Sequence, residues 1–353
     1  MLFNIKRGIV IFINVKEGRK NTLLDQKIEI LADILKDYRV SELRNPKKEN
    51  ITLWLSQFSP QNQEIILDEM INICNKLYLT EMEVDNFLKG LVSNEKLTNS
   101  DSKSFWSNVS LLNIQQNGHS QSIMVSKFQK IIFDETGITV AINDNTKSNF
   151  IYVDDFLFTG NRLYQDISNY FHTEATGKID IIYIGYFKQG QYYNGNRLKA
   201  NFKNINIQFW RMFELENNTN CQNQSHILWP IENIKGNIEV VSFLKHYGDK
   251  DHTIYRNLDQ PKGPYCESDN LFSSEYNRQI LEKEFTLAGL KIINKIGIGY
   301  WKPLGFSPFN NLGFGAMVFS YRNCPNNTPL CLWWGDWNGN SIWYPLFQRE
   351  TYK

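Results

Sequence analysis

Residues 149–167 read NFIYVDDFLFTGNRLYQDI. A mostly apolar run from Asn149 to Val153 leads into two adjacent aspartates, Asp154 and Asp155. Phe156, Leu157 and Phe158 follow, then Thr159, Gly160, Asn161 and Arg162, then a helical pattern. Neighbouring carboxylates repel, so a strand end that carries two of them calls for a counterpart. If the apolar run is a buried parallel strand, the pair stands at its carboxyl end, where open α/β sheets bind ligands. Gly160 permits a tight turn. The helix N-terminus after it is an anion site, and Arg162 adds a fork of donors. Carboxylates beside an anion cradle suit a sugar phosphate: the acids accept from two ribose hydroxyls while the loop holds the phosphate.

The surrounding sequence predicts an α/β layer with a mainly parallel sheet. Strands are expected over 105–115, 137–142, 149–153 and 179–187, with helices over 120–132 and 161–171. The strand–helix–strand–strand–helix–strand order and the continuous apolar run IDIIYIGYF (179–187) carry that reading. Residues 1–100 read as a helical region. Leu23, Ile28, Leu31 and Leu35 recur at helical spacing behind Asn21 or Thr22 as cap, Ser59-Pro60 reads as a cap with proline at the first helical position, and Thr80 with Glu83 has capping-box spacing. Residues 261–353 form a C-terminal α+β extension, with a long helix from Ser273, a strand over 315–321, and loops rich in Gly, Pro, Asn and Trp. The domains expected are therefore 1–100, 101–260 and 261–353.

A net charge of +1 gives no global field for nucleic acid. The five cysteines are widely spaced, with no CxxC pair and no zinc-type cluster, which fits a reduced, cytoplasmic protein. The run GIVIFINV (8–15) is shorter than the ~20 residues a membrane span needs and reads as a short strand. No membrane partner is expected.

The stretch YVDDFLFTG resembles the phosphoribosyl pyrophosphate site of type I phosphoribosyltransferases. That resemblance implies ribose binding by Asp154 and Asp155, which would be the catalytic residues, and a phosphate cradle of Thr159, Gly160, Asn161 and Arg162. It departs from the family where a further Gly and a Thr or Ser usually follow; Asn161 and Arg162 stand there. Asn tolerates unusual backbone angles. Residues 113–122 occupy the place of the family's pyrophosphate loop, with Gly118, Ser120 and Gln121 as candidate donors. His119 reads as a surface loop residue. Together with WLSQFSPQNQEIILDEM (54–70) and the terminal FSYRNCPNNTPLCLWW (319–334), the motif is similar to the phosphoribosyltransferase-like proteins of bacterial conflict systems, including retron-associated effectors.

That likeness implies an antiphage toxin that binds phosphoribosyl pyrophosphate, with Mg²⁺ carried by the pyrophosphate, and that modifies a nucleobase, nucleotide or nucleic acid. It also implies a reverse transcriptase and its RNA–DNA product as partners. A metal ligand set is not identifiable. Amides and aromatics near 322–337 make Asn323, Asn326, Asn327 and Trp333 candidates for the acceptor side; the alternative is a turn at Asn326-Asn327 with Trp packing. Lys188 and Gln189 lie near the crevice rim by topology, with Lys188 read as a solvated loop cation. A second functional reading is a catalytically inactive module that senses a nucleotide or serves as a scaffold.

Overall fold

The computed structural model describes residues 22–39, 48–116, 120–215, 226–250, 253–256, 271–308, 310–336 and 342–349. The run 8–15 lies outside them. Contacts group the described chain into two units, residues 82–215 and residues 22–81 with 226–349. The three textures of the sequence run across this division.

The chain enters through α1 (Leu23–Ile34). Thr22 and Asp25 form a reciprocal capping box: the Thr22 hydroxyl accepts from the Asp25 N–H at 3.2 Å, and the Asp25 carboxylate accepts from the Thr22 N–H at 3.1 Å. Next come α2 (Lys48–Leu55), α3 (Gln63–Leu77) and β1 (Tyr78–Leu79). Ser59 does not cap α3. Pro60 opens a tighter 3₁₀ turn over Pro60–Asn62, and the α-helix begins only after it.

The second stretch starts with α4 (Glu81–Val92), α5 (Glu95–Thr98) and α6 (Ser102–Ser107). Residues 105–107 therefore close a helix instead of opening a strand. Asp101 caps that helix by accepting from Ser104 N–H, and buried Trp106 donates to the Val92 carbonyl. These local bonds outcompete the aromatic strand signal. The strand proper, β2, is Val109–Leu112. It is followed by α7 (Ser120–Thr136), β3 (Ala141–Ile142), β4 (Asn149–Leu157), α8 (Asn161–Tyr170), β5 (Gly177–Phe187), α9 (Lys188–Asn201) and β6 (Ile205–Leu215). Of the strand expected over 137–142 only the last two residues pair. The sequence reading assigned no element to 188–215, which supplies α9 and β6.

The five strands are all parallel in the order β3-β2-β4-β5-β6. From β2 the chain moves outward to β3, and from β4 it moves the other way to β5 and β6. Right-handed crossovers in opposite directions put α7 on one face and α8 with α9 on the other. On the latter face Phe150, Tyr152, Ile179, Ile181, Ile205 and Ile207 pack with Leu163 and Ile167 of α8, Leu198 of α9 and Phe202 just after it. The reversal between β2 and β4 is the topological switch point, and the crevice beyond the carboxyl ends of these two strands is where such sheets bind ligands.

The other unit continues with α10 (Ile238–Leu244), α11 (Glu275–Ile296), β7 (Phe319–Ser320) and α12 (Leu330–Trp333). Ser274 caps α11 by accepting from Asn277 N–H. β7 runs parallel to β1 and is the only laddered part of the strand expected over 315–321. The N-terminal helices and the C-terminal segment share one core: the indole N–H groups of Trp54 and Trp343 both donate to the Cys331 carbonyl at 2.9 Å. Phe58 packs edge-on against both Trp54 and Trp343.

Candidate functional site

Both aspartates lie inside β4, not after it, and each is 5% exposed. Side chains facing α8 and α9 are Phe150 and Tyr152 before the pair and Leu157 after it, so the two-residue alternation slips by one across the pair. In β5 the same slip falls between Tyr183 and Tyr186. The ladder steps from Asp154–Tyr183 directly to Phe156–Gly185. Such a break in alternation bends a strand and re-aims its side chains. Each carboxylate here turns forward along the chain: Asp154 Oδ1 accepts from the Asp155 N–H at 2.9 Å, and Asp155 Oδ1 from the Phe156 N–H at 2.7 Å. Each nearly buried carboxylate thereby has a backbone donor beside it.

Beneath the pair lies a buried polar cluster. The Tyr152 hydroxyl donates to Asp166 Oδ2 at 3.0 Å. Burial pushes the Asp166 carboxyl above its ordinary range, against the Tyr152 hydroxyl bond and the charge of Arg162. Burial likewise drives the Tyr183 phenol up, and the charge of Asp154 adds to it.

After β4 the chain turns at Thr159-Gly160. Gly160 has φ +71° and is buried, while Asn161 and Arg162 open α8 and are exposed. A methyl group at Gly160 would sit 2.7 Å from Nδ2 of Asn194 on α9. Gly160→Ala therefore meets both a left-handed backbone and a packed amide. It is expected to lower unfolding stability by about 1–2 kcal/mol or more; a melting temperature equal to wild type would contradict this geometry.

On the β2 side, residues 113–116 come back to the same place. Gln121, wholly buried at the start of α7, accepts through Oε1 from the N–H groups of Ile114 and Gln115 at 2.7 and 2.8 Å. Ser120 Oγ donates to Gln115 Oε1 at 3.1 Å, and Gln115 Nε2 donates to Asp154 Oδ2 at 3.3 Å. Ser120, Gln121 and Asp154 are thus joined through Gln115. The Gln121 Nε2 is buried without a hydrogen-bond partner among the described residues. Gly118 and His119 lie outside the described residues.

A family model described as PRTase-CE matches residues 51–349. The chain belongs to the PRTase-CE family. It is a phosphoribosyltransferase-like protein, and its five-stranded parallel sheet agrees with such a fold. No curated protein matches it.

Within this PRTase-CE member the remaining candidates have local roles. Asn327 Nδ2 donates to the Phe306 carbonyl at 2.9 Å, the Asn326 carbonyl accepts from the Phe306 N–H, and Asn323 closes a turn with Ser320. Trp333 is buried and donates to the Thr328 carbonyl. These are the turn and packing contacts of the alternative reading. Lys188 is not in a loop: it begins α9 and pairs with Glu214 at 3.4 Å. Gln115, Tyr152, Asp166 and Asn194 escaped the sequence reading, because no motif marks them and only the folded chain brings them to the pair, its underlying cluster and the Thr159–Gly160 turn.

Among the described residues no group of three or more His, Cys, Asp or Glu gathers as a metal cage. The carboxylates of Asp154 and Asp155 are nonetheless hard oxygen donors of the kind Mg²⁺ accepts when phosphates and water supply its other ligands. Among the described residues no helix is long and apolar enough to cross a membrane.

Proposed function

We propose that this protein binds phosphoribosyl pyrophosphate at the carboxyl ends of β2 and β4 and transfers its phosphoribosyl group to a nucleobase, nucleotide or nucleic acid. The observation that carries the reading is the convergence of Asp154 and Asp155, the Thr159–Arg162 turn and the Gln115 loop at one switch point. Two adjacent carboxylates at the mouth of this crevice are acceptors of the kind that a vicinal pair of ribose hydroxyls can donate to. The hydroxyls would do so while the start of α8 receives the 5′-phosphate. A nitrogen of the acceptor then bonds to C1 of the ribose as the C1–O bond to pyrophosphate breaks. The chain's part is to position the sugar and to present fixed dipoles to the phosphates. Mg²⁺, when bound, would be held by Asp154 and Asp155 with the pyrophosphate and would neutralise the leaving group.

In this reading the protein is an antiphage toxin restrained by a reverse transcriptase and its nucleic-acid product, a role supported by the resemblance to conflict-system effectors. The test is mass spectrometry of nucleotides and RNA from cells expressing the protein, together with a pyrophosphate-release assay. A mass gain of one ribose phosphate or a lost base is expected; an unchanged nucleotide pool with no pyrophosphate released would overturn the transferase reading.

One observation favours a second reading. Asn161 and Arg162 replace the usual small and hydroxyl residues of the cradle, and both are exposed at the start of α8. Calorimetry showing tight phosphoribosyl pyrophosphate binding without turnover would assign the protein to sensing or scaffolding.

A further inference from the structure

The candidate phosphate turn is held from behind by α9. Asn194 is 1% exposed, and its amide is engaged at both ends. Nδ2 donates to the Thr159 carbonyl and, at 3.2 Å, to the Gly190 carbonyl. Oδ1 accepts from Arg197 Nη1 at 3.2 Å. The Arg197 guanidinium in turn lies 3.6 Å from the centroid of the Tyr164 ring on α8 and 5.7 Å from that of Tyr193. A donor facing two carbonyls and an acceptor facing a cation leave the amide one orientation; flipped, it would meet repulsion on every side.

Glycines make the approach close enough. A methyl group at Gly190 would run into the Phe158 carbonyl oxygen, and one at Gly160 would run into Asn194 itself. The first turns of α9 therefore rest on the backbone of residues 158–160. A trans peptide is planar, so its C=O and N–H point in opposite directions. By drawing the Thr159 carbonyl toward α9, Asn194 turns the Gly160 N–H away from α9. It also removes a backbone oxygen that would otherwise repel a phosphate in the turn.

We propose that Asn194, oriented by Arg197, is a positioning residue that sets the affinity of the Thr159–Arg162 turn for a phosphate monoester. This rests on the phosphoribosyl reading above and extends it to a residue that touches no substrate. The amide acts through the Thr159 peptide, and Arg197 acts through the amide. Arg197 also reaches the site from the surface of α9, stacked on Tyr164 of α8, so one guanidinium ties the two helices that flank the turn.

The test is titration calorimetry on the full chain with two ligands, phosphoribosyl pyrophosphate and the analogue lacking its 5′-phosphate. Asn194→Asp keeps the shape and replaces both donors by a charged acceptor. It is expected to weaken phosphoribosyl pyrophosphate roughly tenfold or more while the analogue is held as by wild type. Arg197→Gln, which alters the outer end of the network, is expected to do the same to a smaller degree, and it carries the test if Asn194→Asp fails to fold. Equal loss for both ligands, or no loss for either, would overturn the proposal. If wild type binds neither ligand, the phosphoribosyl reading itself fails, and the proposal goes with it; the two failures are told apart by the wild-type titration alone.

Discussion

Replacing Asp154 and Asp155 together by asparagine is expected to cut pyrophosphate release by roughly 10²–10⁴-fold, because each charge-assisted bond to a ribose hydroxyl contributes roughly 1.5–3 kcal/mol. The same double variant is expected to melt at or above the wild-type temperature. Asparagine Oδ1 can still accept from the N–H groups of Asp155 and Phe156, so the strand keeps its shape. What disappears is a pair of adjacent, nearly buried carboxylates, which cost more to bury than neutral amides do. A site held for function carries such a cost, and relieving it stabilises the fold while activity falls. Of the single variants, Asp154→Asn also disturbs the bond from Gln115, so it is expected to cost more binding than Asp155→Asn. The measurements are a pyrophosphate-release assay and thermal unfolding on the same preparations. Retained release in the double variant would remove the pair from the chemistry. Lost release with a sharply lowered melting temperature would make the aspartates structural.

The strand-loop-helix unit around this pair was legible because its signals are local. An apolar run, two acids and a glycine turn lie within a few residues; the Gly160 turn and α8 form where that spacing predicts, while β4 starts as expected but runs on through the acid pair to Leu157. Residues 105–107 read as strand for the same local reason, their aromatics. They are helical because Asp101 and the Val92 carbonyl offer partners that only the chain before them supplies. α9 was not legible. Its sequence, KQGQYYNGNRLKAN, has two glycines and little apolar periodicity, and intrinsic propensity opposes a helix there. Both glycines are accounted for by packing. Gly190 lies against the Phe158 carbonyl, and Gly195 against Gln191 and Phe209. The approach of the Phe158 backbone and of the Phe209 ring is a tertiary demand, invisible in a one-dimensional pattern. The same holds for Asn194, whose function in the fold depends on a carbonyl 35 residues away.

Far from that crevice in sequence, Glu282→Ala is expected to destabilise the unit formed by residues 22–81 and 226–349 by about 3–5 kcal/mol. Glu282 on α11 is wholly buried between two wholly buried guanidinium groups. Arg256 reaches it with Nη2 at 2.5 Å and Nε at 3.0 Å, and Arg278 with Nε at 3.0 Å. The Trp229 N–H donates to the same carboxylate at 3.1 Å. Glu275, partly exposed, adds a second carboxylate at 2.8 Å from Arg256. Burial holds the Arg278 guanidinium below its ordinary value, a sign of how poorly this place solvates a cation. Truncating Glu282 takes from two buried cations the carboxylate they share and strands a backbone donor, which costs far more than the ion pair itself contributes. The cluster as a whole is therefore weak evidence for stability, while each of its members is indispensable to the others. The triple variant Arg256→Met, Arg278→Met, Glu282→Leu removes all three buried charges together and is expected to lose less stability than Glu282→Ala alone. Urea unfolding followed by tryptophan fluorescence reports mainly on this unit, since Trp54, Trp229, Trp301, Trp333, Trp334 and Trp343 belong to it while Trp106 and Trp210 belong to the other. If the triple variant unfolds at lower urea than the single one, the cluster is a net source of stability and the desolvation argument fails.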